Sequence, residues 1–206
     1  DKYFKKEIKS PRKEPKNKLI DYLGWHKQNE EYCFVGLPLL SGRLYGDKKS
    51  LIRDIVKKYN LDLRLTPNQD ILLCNISNKH KIGIKKALLK IGYDNLNEIN
   101  EIQRHALACP ALPLCGLAMT EAERILPTVL TRIDDLIKSL NIKKSILFRM
   151  TGCPNGCTRP YMAELALVGS GQNKYQLWLG GSKNLQRLAK PYLQRMDLED
   201  LEKTLK

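Results

Sequence analysis

The chain has 206 residues, a formal charge of +14 from 36 Lys and Arg against 22 Asp and Glu, and 42% hydrophobic residues. This length is enough for one large domain or two small domains with cores of their own. No stretch reaches the roughly 20 apolar residues of a membrane span, and no signal peptide opens the chain. The six cysteines do not form an evenly spaced secretory framework, which favours a reducing compartment such as the cytoplasm.

The first 18 residues carry eight Lys or Arg against three acidic residues, with prolines at positions 11 and 15. This composition predicts an extended linker over residues 1–18. Its charge also suits electrostatic steering of an acidic partner. Nucleic-acid binding has only the basicity in its favour, because the chain lacks a helix-turn-helix, zinc-finger or aromatic RNA-binding signature.

Residues 19–94 show an alternation of strand and helix patterns. The predicted elements are a strand over 31–38, a helix over 48–59 ended by Asn60, a hairpin of strands 61–65 and 71–76 with its turn at 66–70, and a helix over 82–91. Strict alternation over 61–65 predicts a half-buried strand. The order predicts an α+β half-domain of ferredoxin-like type. Cys33 and Cys74 lie in apolar runs and are interpreted as core residues of strands.

Residues 95–206 begin beyond a boundary near 93–97. A long amphipathic helix is predicted over 120–140, with Thr120 as N-cap, Glu123 completing a capping box, and Pro127 bending or delaying its regular part. Strands are predicted over 146–148, 164–168 and 175–179, and a charged helix from 184 to the end. Glu121 and Glu123 are expected to serve the dipole of the long helix.

Two cysteine pairs carry the chemistry of this second part: Cys109 with Cys115, and Cys153 with Cys157. Four thiolates from two tight loops are the ligands that an iron–sulfur cluster needs, because each iron takes one soft sulfur from the protein. Zinc is the weaker reading, since its cysteine pairs are usually two to four residues apart. Pro154 and Gly156 favour a turn whose backbone N–H groups can point at sulfur.

The residues around these cysteines resemble a known family. The segment Met150-Thr151-Gly152-Cys153-Pro154-Asn155-Gly156-Cys157-Thr158-Arg159-Pro160-Tyr161-Met162 resembles the second cluster motif of assimilatory sulfite reductases, and Ala108-Cys109-Pro110-Ala111-Leu112-Pro113-Leu114-Cys115 resembles their first. The resemblance covers residues 20–182. It implies a ferredoxin-like half-domain followed by an α/β cofactor-binding domain of the nitrite/sulfite reductase type, over residues 19–94 and 95–206.

The resemblance implies a 4Fe–4S cluster held by Cys109, Cys115, Cys153 and Cys157. It also implies that Cys157 is the catalytic thiolate shared with the iron of an adjacent sirohaem. Members of the family are more than twice as long as this chain. The resemblance therefore implies that the chain is most of a C-terminal half, and that the main substrate-binding arginines and lysines lie in the other half.

Several polar side chains suit anionic ligands, because sirohaem carries eight carboxylates and sulfite is a dianion near neutrality. Asn155 and Arg159 are candidates for contact with the haem or its edge. Further candidates are Arg43, Arg64, Arg149, Asn68 and Gln69. The three histidines lack a common spacing, and no metal role is expected for them.

The resemblance predicts six-electron reduction of sulfite to sulfide with ferredoxin as electron donor. Nitrite reductase is a rival, but its second motif typically has Ser in place of Gly156 and lacks the continuation from Arg159 to Met162. An NADPH-linked sulfite reductase subunit is a second rival, although Pro110-Ala111-Leu112 looks more like the ferredoxin branch. A basic, cofactor-free binding fragment is the alternative from a different class. The predicted compartment is the cytoplasm, or the plastid stroma in a plastid-bearing host.

Overall fold

The computed structural model describes residues 21–93, 96, 99–183 and 186–206, and within these ranges the protein is a mixed α/β chain with two sheets. The predicted linker over residues 1–18 and the predicted boundary at 94–95 lie outside the described residues. No helix in the described part of the chain is both long enough and apolar enough to cross a bilayer.

The first sheet is antiparallel and four-stranded, in the order β1-β2-β4-β3. Its strands are β1 (Gly24–Lys27), β2 (Tyr32–Leu37), β3 (Asp62–Leu65) and β4 (Ile71–Ser77), and its helices are α1 (Lys48–Tyr59) and α2 (Lys81–Leu89). Strand β1 was not predicted, because four residues that include His26 and Lys27 give no apolar pattern. The other predicted elements of this part are confirmed, with small shifts at their ends.

Helix α1 shows why the apolar pattern was informative here. Ile52 and Ile55 are buried against the sheet, at the helical spacing seen in the sequence. The helix ends at Asn60, which takes the left-handed conformation with φ 50° and donates its N–H to the carbonyl of Val56. Asparagine accepts this conformation more readily than most residues do, so the predicted stop is confirmed.

Strand β3 is an edge strand, and the prediction that it is half-buried was wrong. Leu61, just before the strand, is buried in the core, but Leu63 is 45% exposed and Leu65 is 78% exposed. These three side chains share one face of the strand because their spacing is two residues. Burial therefore decreases along this face of the strand. The alternation of apolar and polar residues does not show where the helices stop covering that face.

A buried carboxylate braces the turn between β3 and β4. Asp70 is 9% exposed and accepts a hydrogen bond from the backbone N–H of Leu39 at 3.1 Å. Burial raises the pKa of Asp70 to about 7, against the lowering effect of that hydrogen bond, and the charge of Asp21 raises it further. The folded protein therefore binds this proton more tightly than the unfolded chain does.

The Asp70→Asn variant tests this assignment, because it keeps an oxygen for Leu39 and removes the charge. The stability that comes from protonated Asp70 is complete below about pH 4 and is lost as the pH rises through about 7. We expect the substitution to raise the free energy of unfolding by roughly 1–3 kcal/mol at pH 8 and to change it little at pH 4. Urea unfolding of the full-length protein at both pH values measures this. An equal effect at the two pH values would contradict the assignment.

The second sheet has five strands in the order β5-β6-β7-β8-β9. Its elements are β5 (Leu107–Ala108), β6 (Phe148–Thr151), β7 (Leu165–Gly171), β8 (Lys174–Leu179) and β9 (Lys190–Asp197), with helices α3 (Glu101–Arg104), α4 (Leu126–Ser139) and α5 (Leu201–Leu205). Strands β5, β6 and β7 are parallel, and β8 and β9 continue the sheet antiparallel. Helix α4 packs on one face, where Val129, Leu130 and Ile133 are buried against Phe148 and Met150.

The long helix begins six residues later than predicted, at Leu126. Thr120 is not its N-cap: its buried hydroxyl donates to the phenol oxygen of Tyr175 at 2.9 Å. That phenol in turn donates to the carbonyl of Glu121 at 2.7 Å, and burial raises the pKa of Tyr175 to about 12. Pro127 lies in the first turn of α4, where its missing N–H is tolerated. The predicted delay at Pro127 is therefore confirmed.

The end of the chain was predicted as a helix from residue 184, but its longest element is a strand. Strand β9 pairs with β8, and within residues 186–206 the α-helical part is Leu201–Leu205. Pro191 lies in β9, which is possible because β9 is an edge strand of the sheet that the described residues form. The charged residues of this segment suggested a helix, but backbone pairing with β8 makes it a strand.

Candidate functional site

The two cysteine loops leave the same edge of the second sheet. Cys109 directly follows β5, and Cys153 lies two residues after β6. The two strands are adjacent and parallel, so their carboxyl ends lie side by side. The prediction that a strand delivers the Cys153 loop is confirmed, although that strand spans Phe148–Thr151 rather than residues 146–148.

Direct backbone hydrogen bonds join the two loops at Gly152. Its carbonyl accepts the N–H groups of Met119 and Thr120, at 2.8 and 3.3 Å. A Cβ at Gly152 would lie 2.6 Å from the Cβ of Ala111 and 2.8 Å from the carbonyl oxygen of Thr120. Gly169 on β7 is equally close, since its Cβ would lie 2.2 Å from the carbonyl oxygen of Gly152. Glycine at both positions allows the loops to come into contact.

The four thiols are free and differ in exposure. Cys109 and Cys153 are buried, Cys115 is half-buried, and Cys157 is exposed. The backbone N–H of Gly152 donates to the sulfur of Cys109 at 3.2 Å. Thus one loop donates to a sulfur of the other, although the donor is Gly152 and not the turn around Pro154 and Gly156. Such hydrogen bonds to sulfur help to set the reduction potential of a cluster.

The donor set fits an iron–sulfur cluster. Among the described residues, no three His, Cys, Asp or Glu side chains are close enough together to hold a single metal ion. A cluster takes one thiolate for each iron, so its ligands surround it and need not converge on one point. Four free thiols on two touching loops, one of them already accepting a backbone N–H, are consistent with that requirement.

The Cys153–Cys157 loop is braced from both sides. Gly156 has φ 68°, as its position between the thiols predicted. The hydroxyl of Thr158 donates to the carbonyl of Met150 at 3.0 Å, and the phenol of Tyr161 donates to the carbonyl of Pro154 at 2.8 Å. Burial raises the pKa of the Tyr161 phenol, which keeps this donor protonated.

The role of Tyr161 was missed, although it lies inside the recognised motif. Its ring packs edge-on against Trp178 of β8, with 4.6 Å between the ring centroids. No local pattern predicts a contact with a strand so far along the chain. Asn155, a predicted cofactor contact, is exposed at the tip of the loop.

Two arginines place positive charge beside the Cys157 end of this loop. Arg159, with φ 57°, donates to the carbonyl of Pro67 at 2.9 Å and approaches the side-chain oxygen of Asn68 at 3.4 Å. Arg149 is 2% exposed and donates to the carbonyl of Arg159 at 3.1 Å. Burial lowers the pKa of Arg149 to about 10, and the charge of Arg159 also lowers it, so Arg149 remains protonated at neutral pH.

The buried charge of Arg149 is incompletely compensated. Its Nε has no hydrogen-bond partner among the described residues. A buried cation is costly unless an anion lies near it. This environment suits a negatively charged group at the cysteine loops.

The other candidate arginines have different surroundings. Arg43 forms an ion pair with Glu123, at 2.5 and 2.9 Å. Arg64 is exposed on β3.

Glu121 pairs with Arg124 at 3.2 Å. The prediction that Glu121 and Glu123 serve a helix dipole was wrong, because the helix does not begin until Leu126.

Comparison with known proteins gives consistent matches. A model of the nitrite/sulfite reductase ferredoxin-like half domain matches residues 26–91. The ferredoxin sulfite reductase of Synechococcus elongatus is 46% identical over 98% of this chain and 33% of its own length. NADPH sulfite reductase haemoprotein β-components of Geobacillus kaustophilus and Staphylococcus epidermidis are 41% and 37% identical, over 90% and 97% of this chain.

A solved structure shares the fold. The Mycobacterium tuberculosis NirA protein superposes with a TM-score of 0.75 over 97% of this chain and 38% of its own, at 20% identity. The chain spans about a third of the length of the curated relatives that it matches.

Proposed function

Since the chain belongs to the nitrite and sulfite reductase family, we propose that it is the C-terminal part of a sulfite reductase that reduces sulfite to sulfide with electrons from ferredoxin. The activity is proposed for the whole protein, of which this chain supplies about a third. We also propose that residues 19–94 and 95–206 form two domains, since each sheet has its own core. The remaining part of the full-length protein would supply most of the substrate-binding side chains.

The cofactors of this proposal are a 4Fe–4S cluster on Cys109, Cys115, Cys153 and Cys157, and a sirohaem that shares the Cys157 thiolate. When bound, these groups would supply single-electron transfer and a site for sulfite, both of which a six-electron reduction requires. The contact between the two cysteine loops at Gly152 is the observation that carries the proposal.

The chain's own residues have separate tasks at this site. Burial of Cys109 and Cys153 excludes water from one side of the site, whereas the exposed Cys157 can serve a second group that approaches from outside. The Gly152 N–H stabilises negative charge on the Cys109 sulfur. Arg149 and Arg159 favour an anionic occupant, and Tyr161 holds the intervening loop in place.

Ferredoxin is proposed as the electron donor because the ferredoxin-linked relative has 46% identity, against 37% to 41% for the NADPH-linked relatives named above. The charge of +14 also suits an acidic protein carrier. The NADPH-linked haemoprotein subunit remains the second candidate, because those relatives match over similar parts of the chain. Association with ferredoxin is expected to weaken as salt is added.

The full-length protein tests the proposal. We expect a purified sample to show a Soret band and a red sirohaem band, and to oxidise reduced ferredoxin when sulfite is added. Addition of NADPH with a flavoprotein subunit measures the second candidate, and addition of nitrite measures the rival substrate. A colourless protein without iron would refute the proposal and leave the cofactor-free binding fragment.

A further inference from the structure

The turn at residues 66–70 of the first sheet is held rigid by its own hydrogen bonds. The backbone N–H of Thr66 donates to the carbonyl of Asp70 at 2.9 Å. The hydroxyl of Thr66 accepts the N–H groups of Asn68 and Asp70, at 3.2 and 3.1 Å. The Asp70 carboxylate fixes the turn to Leu39 as well. These hydrogen bonds therefore give the turn a fixed conformation.

This part of the molecule is bonded to the first cysteine loop in two places. Gln69 donates its side-chain N–H to the carbonyl of Ala108, the residue before Cys109, at 3.1 Å. Arg43 forms its ion pair with Glu123, whose backbone N–H donates to the carbonyl of Cys109 at 3.1 Å. Both connections act on the backbone beside one predicted cluster ligand.

The same turn is bonded to the second cysteine loop. Arg159, two residues after Cys157, donates to the carbonyl of Pro67 and lies within 3.4 Å of the Asn68 side-chain oxygen. The carbonyl of Arg159 accepts a hydrogen bond from the buried Arg149. Residues 66–70 thus contact both cysteine loops.

The junction is bridged by hydrogen bonds and is not closely packed. A cavity of about 380 Å³ lies between the turn and the first cysteine loop, with Leu65, Pro110 and Glu123 among its lining residues. The side-chain oxygen of Gln69 is buried there without a partner in the described part of the chain. Because a cavity separates the surfaces, the hydrogen bonds, more than side-chain packing, fix the position of the turn against the loop.

We propose that Gln69 and Arg159 are positioning residues, which use the turn at residues 66–70 to set the separation of the two cysteine loops. This rests on the proposed function, because the loops are taken to hold the 4Fe–4S cluster. Loss of either connection would let one loop move relative to the other. Ligand geometry, hydrogen bonding to sulfur and solvent access would all change, and these determine cluster stability and reduction potential.

The test compares Gln69→Leu and Arg159→Gln with the wild-type full-length enzyme. We expect each variant to lose its cluster to an iron chelator about 10-fold faster and to show a changed midpoint potential in an EPR-monitored redox titration. Arg159→Lys retains a donor and is expected to restore part of the wild-type behaviour. Arg53→Gln is the matched control, because Arg53 pairs with Asp54 in an exposed position on α1.

The outcomes separate this inference from the proposed function. A wild-type enzyme without a cluster would overturn both. A loaded wild-type enzyme whose Gln69→Leu and Arg159→Gln variants keep its chelation rate and potential would overturn the positioning role alone. A lower urea midpoint with unchanged potential would also overturn it, because that result indicates a merely structural role. If Arg159→Gln does not fold, Arg159→Lys and Gln69→Leu provide the comparison.

Discussion

Replacing Cys157 by serine in the full-length enzyme is expected to reduce sulfite turnover by more than about 100-fold, since even changes to residues behind a metal ligand cost about 10- to 100-fold. Serine is a harder, more basic donor than a thiolate and is a poor replacement on iron. Cys157 is exposed, so the substitution should leave the fold intact. Stopped-flow reduction of the sirohaem and steady-state sulfite reduction measure the effect.

Cys33→Ser is the control for that experiment. Cys33 is buried in the first sheet, donates to the carbonyl of Ile76 at 3.5 Å, and has a thiol pKa that burial raises. We expect this variant to lose some stability and to keep its iron, acid-labile sulfide and turnover per folded molecule. Normal sulfite turnover in Cys157→Ser would refute the assignment of the shared thiolate.

Replacing Gly152 by alanine is expected to separate the two cysteine loops. The added methyl group would lie 2.8 Å from the backbone oxygen of Thr120 and 2.6 Å from the Cβ of Ala111, and neither neighbour is the end of a flexible side chain. Overpacking of this kind typically costs about 1–3 kcal/mol. We expect a loss of roughly 2–3 kcal/mol in the free energy of unfolding, together with a low iron content.

Gly116→Ala provides the matched comparison within the first cysteine loop. A Cβ at Gly116 would meet nothing within 4 Å, and Gly116 lies directly after Cys115. We expect this variant to be neutral, or stabilised by up to about 1 kcal/mol through the unfolded chain. Urea unfolding and iron analysis of both full-length variants measure the difference. Equal iron content in the two variants would show that the close approach at Gly152 is not needed for loading.

The elements that the sequence predicted well are those whose signals are local. Helix α1 has buried apolar residues at helical spacing and ends at an asparagine with positive φ. The hairpin has turn residues between two apolar runs. The close placement of the cysteine loops also followed from their motifs, because the recognised family carries those motifs together.

The elements that were missed depend on partners far along the chain. Thr120 has the sequence context of an N-cap, but the phenol of Tyr175, 55 residues away, provides a buried partner for its hydroxyl. Strand β9 exists because β8 offers an unpaired edge, which no property of residues 190–197 reveals. The hydrogen bonds from Gln69 to Ala108 and from Arg159 to Pro67 also join residues that are distant in sequence. Sequence indicated that these side chains are polar and near motifs, but not what they contact.

The connection from β5 to β6 has a practical consequence for engineering. Both cysteine loops are fixed by the sheet at their strand ends. Between Ser139 and Phe148, residues 141–144 are exposed, whereas Leu147 is buried and its N–H donates to the Glu164 carboxylate. The chain can therefore change in length at residues 141–144 without altering how the loops meet. A fluorescent or affinity tag inserted there would report on the full-length protein while leaving the two cysteine loops undisturbed.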